Sequence, residues 1–276
     1  SNEENYPADT RWQLSYALTI KKSSGDYENH STEMLQSYFK EQNPSFNLIF
    51  NTHEDAYAQI EEYKLAVLES GDEVFDENVT LTPQPQVSLT IEDQHTGYVL
   101  AMVGGRGPKE ASRTLNRATD AKRQPGSTFK TVAVYAPAFD SAGLTLATVI
   151  NDAPFNYADG RPVNNWWGAS YRGLNSLRQG IIDSMNILAV KTLTIITPQL
   201  GFDYVKNFGF TTVVDRKEIV VNGKTEIYSD IQQSLALGGL TVGVTNEELN
   251  AAYAAIANGG TYIKPKLYTK VVDHDG

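Results

Sequence analysis

The chain contains no cysteine in its 276 residues. It therefore has neither a disulfide framework nor a thiolate metal site. Histidine is also scarce, since only four are present and they are scattered along the chain. The nearest match to the zinc-binding pattern H-E-x-x-H begins at His53 and fails because its last position is Tyr57. We expect neither a metal site nor a cofactor.

Positive charge is in short supply as well. Lysine and arginine together number 23 against 33 aspartates and glutamates, which gives a formal net charge of −10. Nucleic-acid binding requires clustered Lys and Arg to neutralise phosphates, so this balance argues against a nucleic-acid partner. Long apolar runs are missing too, because a membrane-spanning helix needs about 20 apolar residues and no run here approaches that length.

The most informative pattern present is a Ser-x-x-Lys pair, Ser127 and Lys130, which follows the turn Pro125-Gly126. Residues three apart on a helix share a face and can touch. A serine hydroxyl is a poor nucleophile until a base takes its proton. Lysine can act as that base only when it is neutral, which burial favours by lowering its pKa. Ser127 is therefore a candidate nucleophile and Lys130 a candidate base.

A Ser-x-Asn tripeptide, Ser184-Met185-Asn186, lies between two apolar-periodic segments further along the chain. A second hydroxyl can relay a proton between the first serine, the lysine and a leaving group. An Asn side chain both donates and accepts hydrogen bonds, so Asn186 can hold a substrate amide. These two residues are the candidate partners of Ser127 and Lys130.

Both short patterns also occur elsewhere. Ser37 and Lys40 form a second Ser-x-x-Lys, which sits within an amphipathic helical pattern and favours an ordinary helix surface. Ser45 and Asn47 form a second Ser-x-Asn in a polar stretch that contains proline, which is typical of a turn.

Longer segments over residues 86–276 resemble the transpeptidase domain of class A penicillin-binding proteins. The resembling segments are the hairpin at 86–91 and 97–105, the nucleophile segment 115–130, the second-motif segment 177–186 and the stretch 235–260. Their order and number make this resemblance far more specific than either short motif. It implies an α/β fold of the α+β type, with an antiparallel sheet flanked by helices as in serine β-lactamases.

The resemblance implies a peptidoglycan D,D-transpeptidase that works through a serine acyl-enzyme. Ser127 would attack a D-Ala-D-Ala stem peptide, Lys130 would take its proton, Ser184 would relay that proton to the departing D-Ala, and Asn186 would hold the substrate amide. β-Lactams would trap the acyl-enzyme. The family is anchored by an N-terminal membrane helix, so the expected location is the extracellular face of the bacterial membrane, with the anchor outside this chain.

One family feature is missing. The third motif, Lys-Thr-Gly or Lys-Ser-Gly, does not occur, because none of the Lys-Thr pairs at 130, 191 and 224 is followed by Gly. We expect a second polypeptide segment to complete the sheet and the site. The alternatives are a D,D-carboxypeptidase, a serine β-lactamase of the same fold, or a non-catalytic binding or scaffold module.

The sequence also predicts an organisation. Residues 1–82 are expected to form a linker or pedestal region, and 83–276 the N-terminal two thirds of the catalytic domain, with Pro-Gln-Pro at 83–85 as the break. Alternating residues predict a hairpin around the turn 95–97 that buries Val87, Leu89 and Ile91. A helix is expected from Ser127 to Asp140, bent or ended by Pro137. The adjacent Trp166 and Trp167 either fill the core or wall a substrate groove.

Local patterns predict further elements. An extended segment is expected from Trp12 to Ile20, and helices are expected over 31–42, over 52–69 and on both sides of Ser184. A last helix is expected over 246–258, with Thr245 and Glu248 as its capping box. Its apolar stripe is expected to be Leu249, Ala252, Tyr253 and Ile256.

Overall fold

The computed structural model describes residues 3–107, 113–168, 170–221, 224–274 and 276. The chain packs as two units. The first comprises Ser1–Val87 with Gly105–Thr114, and the second comprises Ser88–Gly104 with Leu115–Gly276. Each unit has its own hydrophobic core.

The first unit is built on a four-stranded antiparallel sheet. Its strands are β1 (Arg11–Lys21), β2 (Tyr27–Ser31), β3 (Ile49–Phe50) and β4 (Glu73–Gln84). Strand β1 pairs with β4 and with both β2 and β3. The predicted extended segment at Trp12–Ile20 is confirmed. Strand β4 was not predicted from the sequence, because half of its twelve side chains are exposed and hydrophobic alternation is confined to Val79–Thr82. Strand β4 continues through Gln84, into the Pro-Gln-Pro segment at 83–85.

Two helices cover the buried face of β1. They are α1 (Thr32–Gln42) and α2 (His53–Val67), which begin at the side-chain caps Ser31 and Thr52. Every second residue of β1 is buried, as a half-buried strand requires. The core of this unit therefore joins one face of β1 to one face of each helix.

The second unit begins with the predicted hairpin, β5 (Leu89–Glu92) paired with β6 (Val99–Val103). The turn between the strands is confirmed, but the predicted buried face is wrong. Thr90 is 6% exposed, whereas Val87, Leu89 and Ile91 are 54%, 48% and 47% exposed. Thr90 faces inward because its hydroxyl donates to Asn246 Oδ1 at 2.8 Å. The more apolar face of the hairpin is therefore left uncovered.

The helix predicted over Ser127–Asp140 is present but irregular. It comprises a 3-10 turn (Gly126–Thr128), a π-helical segment (Thr131–Tyr135) and α3 (Ala136–Asp140). Pro137 has no N–H to bond the carbonyl of Ala133, which disturbs the regular ladder. That carbonyl lies where a Cβ on Gly201 would come within 2.6 Å, so glycine allows the close approach.

The core of the second unit forms around a buried helix. Following α3 are strands β7 (Val149–Asp152) and β8 (Gly173–Ser176) and helices α4 (Leu177–Ile182), α5 (Asn186–Ile196) and α6 (Pro198–Asn207). Seven of the eleven residues of α5 are buried. The predicted pair of helices on either side of Ser184 is confirmed as α4 and α5.

The last elements are the hairpin of β9 (Lys217–Val221) and β10 (Lys224–Tyr228), and helix α7 (Asn246–Ala257). The predicted capping box of Thr245 with Glu248 is confirmed. The predicted apolar stripe differs, because Tyr253 and Ile256 are partly exposed while small alanines face the core. Within the described ranges, no helix is long and apolar enough to cross a membrane.

Candidate active site

The candidate nucleophile Ser127 occupies the 3-10 turn that opens the long helical segment, and it is exposed. Lys130 follows three residues later on the same helical segment and is buried. The spacing that singled out these two residues thus corresponds to one helical turn between a solvent-exposed serine and a buried lysine.

A neighbouring segment holds the turn before Ser127 in place. The side-chain amide of Gln124 donates to the carbonyl of Leu240 and accepts from its N–H, each at 2.8 Å. Gly126 has a φ of +59°. A Cβ on Gly238 would lie 2.5 Å from the carbonyl oxygen of Gly126 and 2.6 Å from its nitrogen. Glycine at 238 therefore lets the two backbones touch directly behind the nucleophile.

Lys130 joins the two sequence motifs. Its Nζ donates to Ser184 O at 2.7 Å, to Ser184 Oγ at 3.0 Å and to Asn186 Oδ1 at 2.6 Å. Burial lowers the pKa of Lys130 to about 8. A lysine with that pKa is roughly 10% neutral at pH 7. An ordinary lysine has a pKa near 10.4, so its neutral fraction at pH 7 is a few hundred times smaller.

The three contacts account for all the hydrogens of a charged ammonium group, which has three donors and no acceptor. When the amine is neutral, one contact is given up and a lone pair becomes available. The same pocket therefore holds the charged lysine and yields a base after loss of a single proton.

Ser184 has a strained backbone. Its φ is +49°, a left-handed conformation that favours glycine. Ser184 N–H donates to Ile181 O at 3.1 Å and Met185 N–H donates to Gly180 O at 2.8 Å, which is the Schellman pattern at the end of α4. Glycine is the usual residue at this position. A serine here supplies a hydroxyl in addition to the carbonyl, and both contact Lys130.

Asn186 is the first residue of α5 and is held at both ends of its side chain. Its Oδ1 accepts from Lys130, and its Nδ2 donates to Asn164 O at 2.8 Å. One hydrogen of the Nδ2 group is thus directed to the protein and a second is available. The structure brings Lys130, Ser184 and Asn186 into direct contact, and Ser127 lies one helical turn before Lys130 in the chain.

A family model of the penicillin-binding protein transpeptidase domain matches residues 87–276, more than half of the chain. The chain belongs to the penicillin-binding protein transpeptidase family. Penicillin-binding protein 1A of Streptococcus pneumoniae (strain ATCC BAA-255 / R6) is 30% identical over 284 residues, which cover 99% of this chain and 37% of that protein. Penicillin-binding protein 1A of Clostridium tetani (strain Massachusetts / E88) is 35% identical over 199 residues, covering 70% of this chain and 24% of that protein.

Solved structures share the fold. Penicillin-binding protein 1A from Haemophilus influenzae superposes with a TM-score of 0.55 at 22% identity, covering 92% of this chain and 34% of that one. PonA1 from Mycobacterium tuberculosis gives 0.50 at 23% identity, covering 65% and 45%. The predicted fold class is confirmed. The chain spans only about a quarter to two fifths of the length of its curated relatives.

The two tryptophans of this transpeptidase chain have different environments. Trp167 packs against the core and lies under the Arg172 guanidinium, 3.8 Å from the ring centre. Trp166 is 70% exposed, and its Nε1 donates to Asp183 O at 2.8 Å. The core interpretation is correct for Trp167, whereas Trp166 is exposed and bonded to Asp183, the residue before Ser184.

The second copies of the short motifs lie where the sequence predicted. Ser37 and Lys40 are both exposed on α1. Asn47 is exposed and its Oδ1 accepts from Ile49 N–H at 2.9 Å, a local turn contact. Neither copy lies in a site like the one that Lys130 forms with Ser184 and Asn186.

Sequence reasoning missed two buried polar residues that bond to the segment bearing the site, Asp152 and Asn165. Asn165 accepts from the backbone N–H of Asn186, and Asp152 accepts from the Asn165 side chain. Neither belongs to a short pattern with Ser127 or Ser184. A polar residue that is buried by tertiary packing carries no signal of burial in its own sequence.

Proposed function

We propose that this chain supplies the acylating part of a serine D,D-transpeptidase that cross-links peptidoglycan stem peptides. The observation that carries the proposal is the buried Lys130 amine, which bonds to Ser184 and Asn186 and lies one helical turn after the exposed Ser127. Burial gives this lysine a pKa of about 8, which suits a general base near neutral pH.

In the proposed acylation step, Ser127 Oγ attacks the carbonyl carbon of the penultimate D-Ala while its proton moves to Lys130 Nζ. The new C–O bond gives a tetrahedral oxyanion, which the Ser127 N–H helps to stabilise. The C–N bond to the terminal D-Ala then breaks, and Ser184 Oγ passes the proton to the departing amine. An amine of a neighbouring stem attacks the ester and releases Ser127. A β-lactam undergoes the first step and leaves a stable acyl-enzyme.

Substrate contacts follow from the groups that remain available. The second Nδ2 hydrogen of Asn186 is the proposed donor to the substrate amide carbonyl. Trp166 offers an exposed aromatic wall beside Ser184, fixed through its bond to Asp183.

The proposal includes a second polypeptide segment that carries the Lys-Thr-Gly or Lys-Ser-Gly motif. Supporting it are the exposed apolar side chains of the β5–β6 hairpin, notably Leu89, Ile91 and Leu100. A two-stranded sheet with bare edges and an apolar face has little independent stability in water. We call this chain together with that segment the completed domain, and we expect the chain alone to be inactive.

Two broader features belong to the same proposal. Residues 1–82 act as a linker region and 83–276 as the first two thirds of the catalytic domain. The whole protein works at the extracellular face of the bacterial membrane, anchored by a helix outside this chain.

Turnover of a peptide ending in D-Ala-D-Ala tests the function. The completed domain should release D-Ala and, with an acceptor amine, form a cross-linked product. Release of D-Ala with water as the sole acceptor would identify a carboxypeptidase, rapid opening of penicillin a β-lactamase, and binding without turnover a non-catalytic module. Any of these three outcomes contradicts the transpeptidase assignment.

A further inference from the structure

Asn165 lies in the loop between β7 and β8 and is only 4% exposed. Its Oδ1 accepts hydrogen bonds from the backbone N–H groups of Asn186, at 2.9 Å, and Ile187, at 3.3 Å. These are the first residues of α5, and the preceding Met185 supplies no side-chain cap. The start of a helix leaves several N–H groups without partners. Asn165 therefore caps α5 from a distant part of the chain.

Asp152 determines which way Asn165 points. Its Oδ1 accepts from Asn165 Nδ2 at 2.8 Å, and its Oδ2 accepts from Arg172 N–H at 2.9 Å. A carboxylate only accepts, so the amide nitrogen of Asn165 must face it and the amide oxygen must face α5. Asp152 is 1% exposed, which keeps water from competing for these bonds.

We propose that Asn165, oriented by Asp152, is a positioning residue for the acylation chemistry of this site. It fixes the first turn of α5, and that turn holds Asn186 and Ser184 against Lys130. The inference rests on the proposed function, but its first consequence is visible in this chain without turnover. Release of the helix start moves two of the groups that enclose the lysine and lets water reach it.

The surroundings of Lys130 make its pKa a sensitive probe of how well the site encloses it. Within the described residues, Lys130 hydrogen-bonds only to neutral oxygens, and burial alone lowers its pKa. The charged groups around the loop are Asp152, Lys191, the Asp159–Arg161 pair and the Arg172–Asp183 pair, in which Asp183 directly precedes Ser184. None of these groups bonds to Lys130 in the part of the chain that the structure describes, so a change in the Lys130 pKa reports on its enclosure.

The first experiment measures the Lys130 pKa by NMR in the full chain labelled with [ε-13C]lysine, with Lys130→Arg used to assign the signal. In Asn165→Ala, we expect the pKa to rise from about 8 to about 9 or higher, toward the ordinary lysine value. Thr245→Ala, which removes the cap of α7, is the matched control and should lower thermal stability without moving this pKa.

A paired exchange keeps the test decisive if the alanine variant unfolds. In the double variant Asp152→Asn with Asn165→Asp, all four hydrogen bonds can form again with donors and acceptors exchanged between the two side chains. The single change Asn165→Asp instead places two carboxylates in contact, a repulsive arrangement. We expect the double variant to regain the wild-type lysine titration, and the single variant to lose it.

Acylation of the completed domain by a fluorescent penicillin is the second readout. Asn165→Ala should slow acylation roughly 10- to 100-fold and move its pH profile to higher pH, and the double variant should restore both. An unchanged Lys130 pKa and unchanged acylation in Asn165→Ala would overturn the inference. If wild-type protein is not acylated at all, the proposed function fails, while the lysine titration still decides whether Asn165 positions α5.

Discussion

At the scale of single residues, Lys130 is the group on which the chemistry of the site depends most. Its side chain is long and flexible, yet three neutral oxygens hold it in one place and burial brings its pKa to about 8. No charged neighbour is needed for this effect. The prediction that follows concerns the pH at which the base becomes available.

Acylation of the completed domain should rise with pH and level off above about 8, because the pKa of Lys130 is lowered and only its neutral form accepts a proton. Below that value the rate should fall about tenfold for each pH unit. Stopped-flow measurement with a chromogenic cephalosporin between pH 5 and 10 checks this. A profile that is flat below pH 8 would contradict the role of Lys130 as base.

Substitution separates this lysine from its counterpart in the other Ser-x-x-Lys pair. Lys130→Ala should abolish acylation, because the proton acceptor is gone and Ser184 and Asn186 lose their common partner. Lys40→Ala, on the exposed face of α1, should leave acylation unchanged. Equal loss in both variants would show that the choice between the two pairs is unfounded.

At the scale of elements, the site depends on close contacts between segments far apart in sequence. The segment around Gly238 touches the turn before Ser127, and Gly201 lies close to the carbonyl oxygen of Ala133. Ser184 occupies a helix end that usually takes glycine, so its hydroxyl is gained at the cost of about 1 kcal/mol of backbone strain.

The contact at Gly238 can be tested against a matched glycine. Gly238 and Gly259 have similar φ values, +69° and +64°, but a Cβ at 238 would meet backbone atoms of Gly126 while a Cβ at 259 would meet nothing within 4 Å. Gly259→Ala should cost only about 1 kcal/mol of unfolding free energy. Gly238→Ala should cost clearly more and also slow acylation.

Denaturant unfolding and penicillin labelling of the two variants check this prediction. The difference between the variants isolates steric displacement from backbone strain, since both place alanine at a positive φ. Equal losses of stability with normal labelling of Gly238→Ala would mean that this contact does not hold the nucleophile turn.

Elements with strong local signals could be predicted from the sequence. The helices that begin at Ser31, Thr52 and Thr245 carry side-chain caps, and their periodic patterns are plain. Strand β4 was not predicted, because half of its side chains are exposed and its hydrophobic alternation is short. The buried face of the hairpin was assigned wrongly because Leu89 and Ile91 look like core residues, whereas Thr90 is buried by a partner 156 residues away.

The site residues also divide into those that the sequence could identify and those that it could not. Ser127, Lys130, Ser184 and Asn186 were identifiable because their spacing and order resemble a known family. Asp152 and Asn165 were not, since they reach their partners only through the tertiary fold. Sequence spacing describes local geometry well, and it says little about contacts that depend on how distant elements pack.

At the scale of the whole molecule, the apolar face of the β5–β6 hairpin predicts an additional strand-bearing partner. Adding a segment with the Lys-Thr-Gly or Lys-Ser-Gly motif should slow amide hydrogen exchange in Leu89–Glu92 and Val99–Val103, because new backbone pairing and side-chain cover exclude water. The exposed hairpin β9–β10 is the internal control and should not change. Exchange in β5 and β6 that is unaffected by the segment would contradict the completion proposal.

The central claim is that Ser127 becomes the acylated residue of this site. Peptide mapping by mass spectrometry, after a fluorescent penicillin has reacted with the completed domain, tests it most directly. We predict a single adduct on the peptide that contains Ser127, lost in Ser127→Ala and retained in Ser37→Ala. An adduct on another serine, or a completed domain that stays unmodified, would contradict the account.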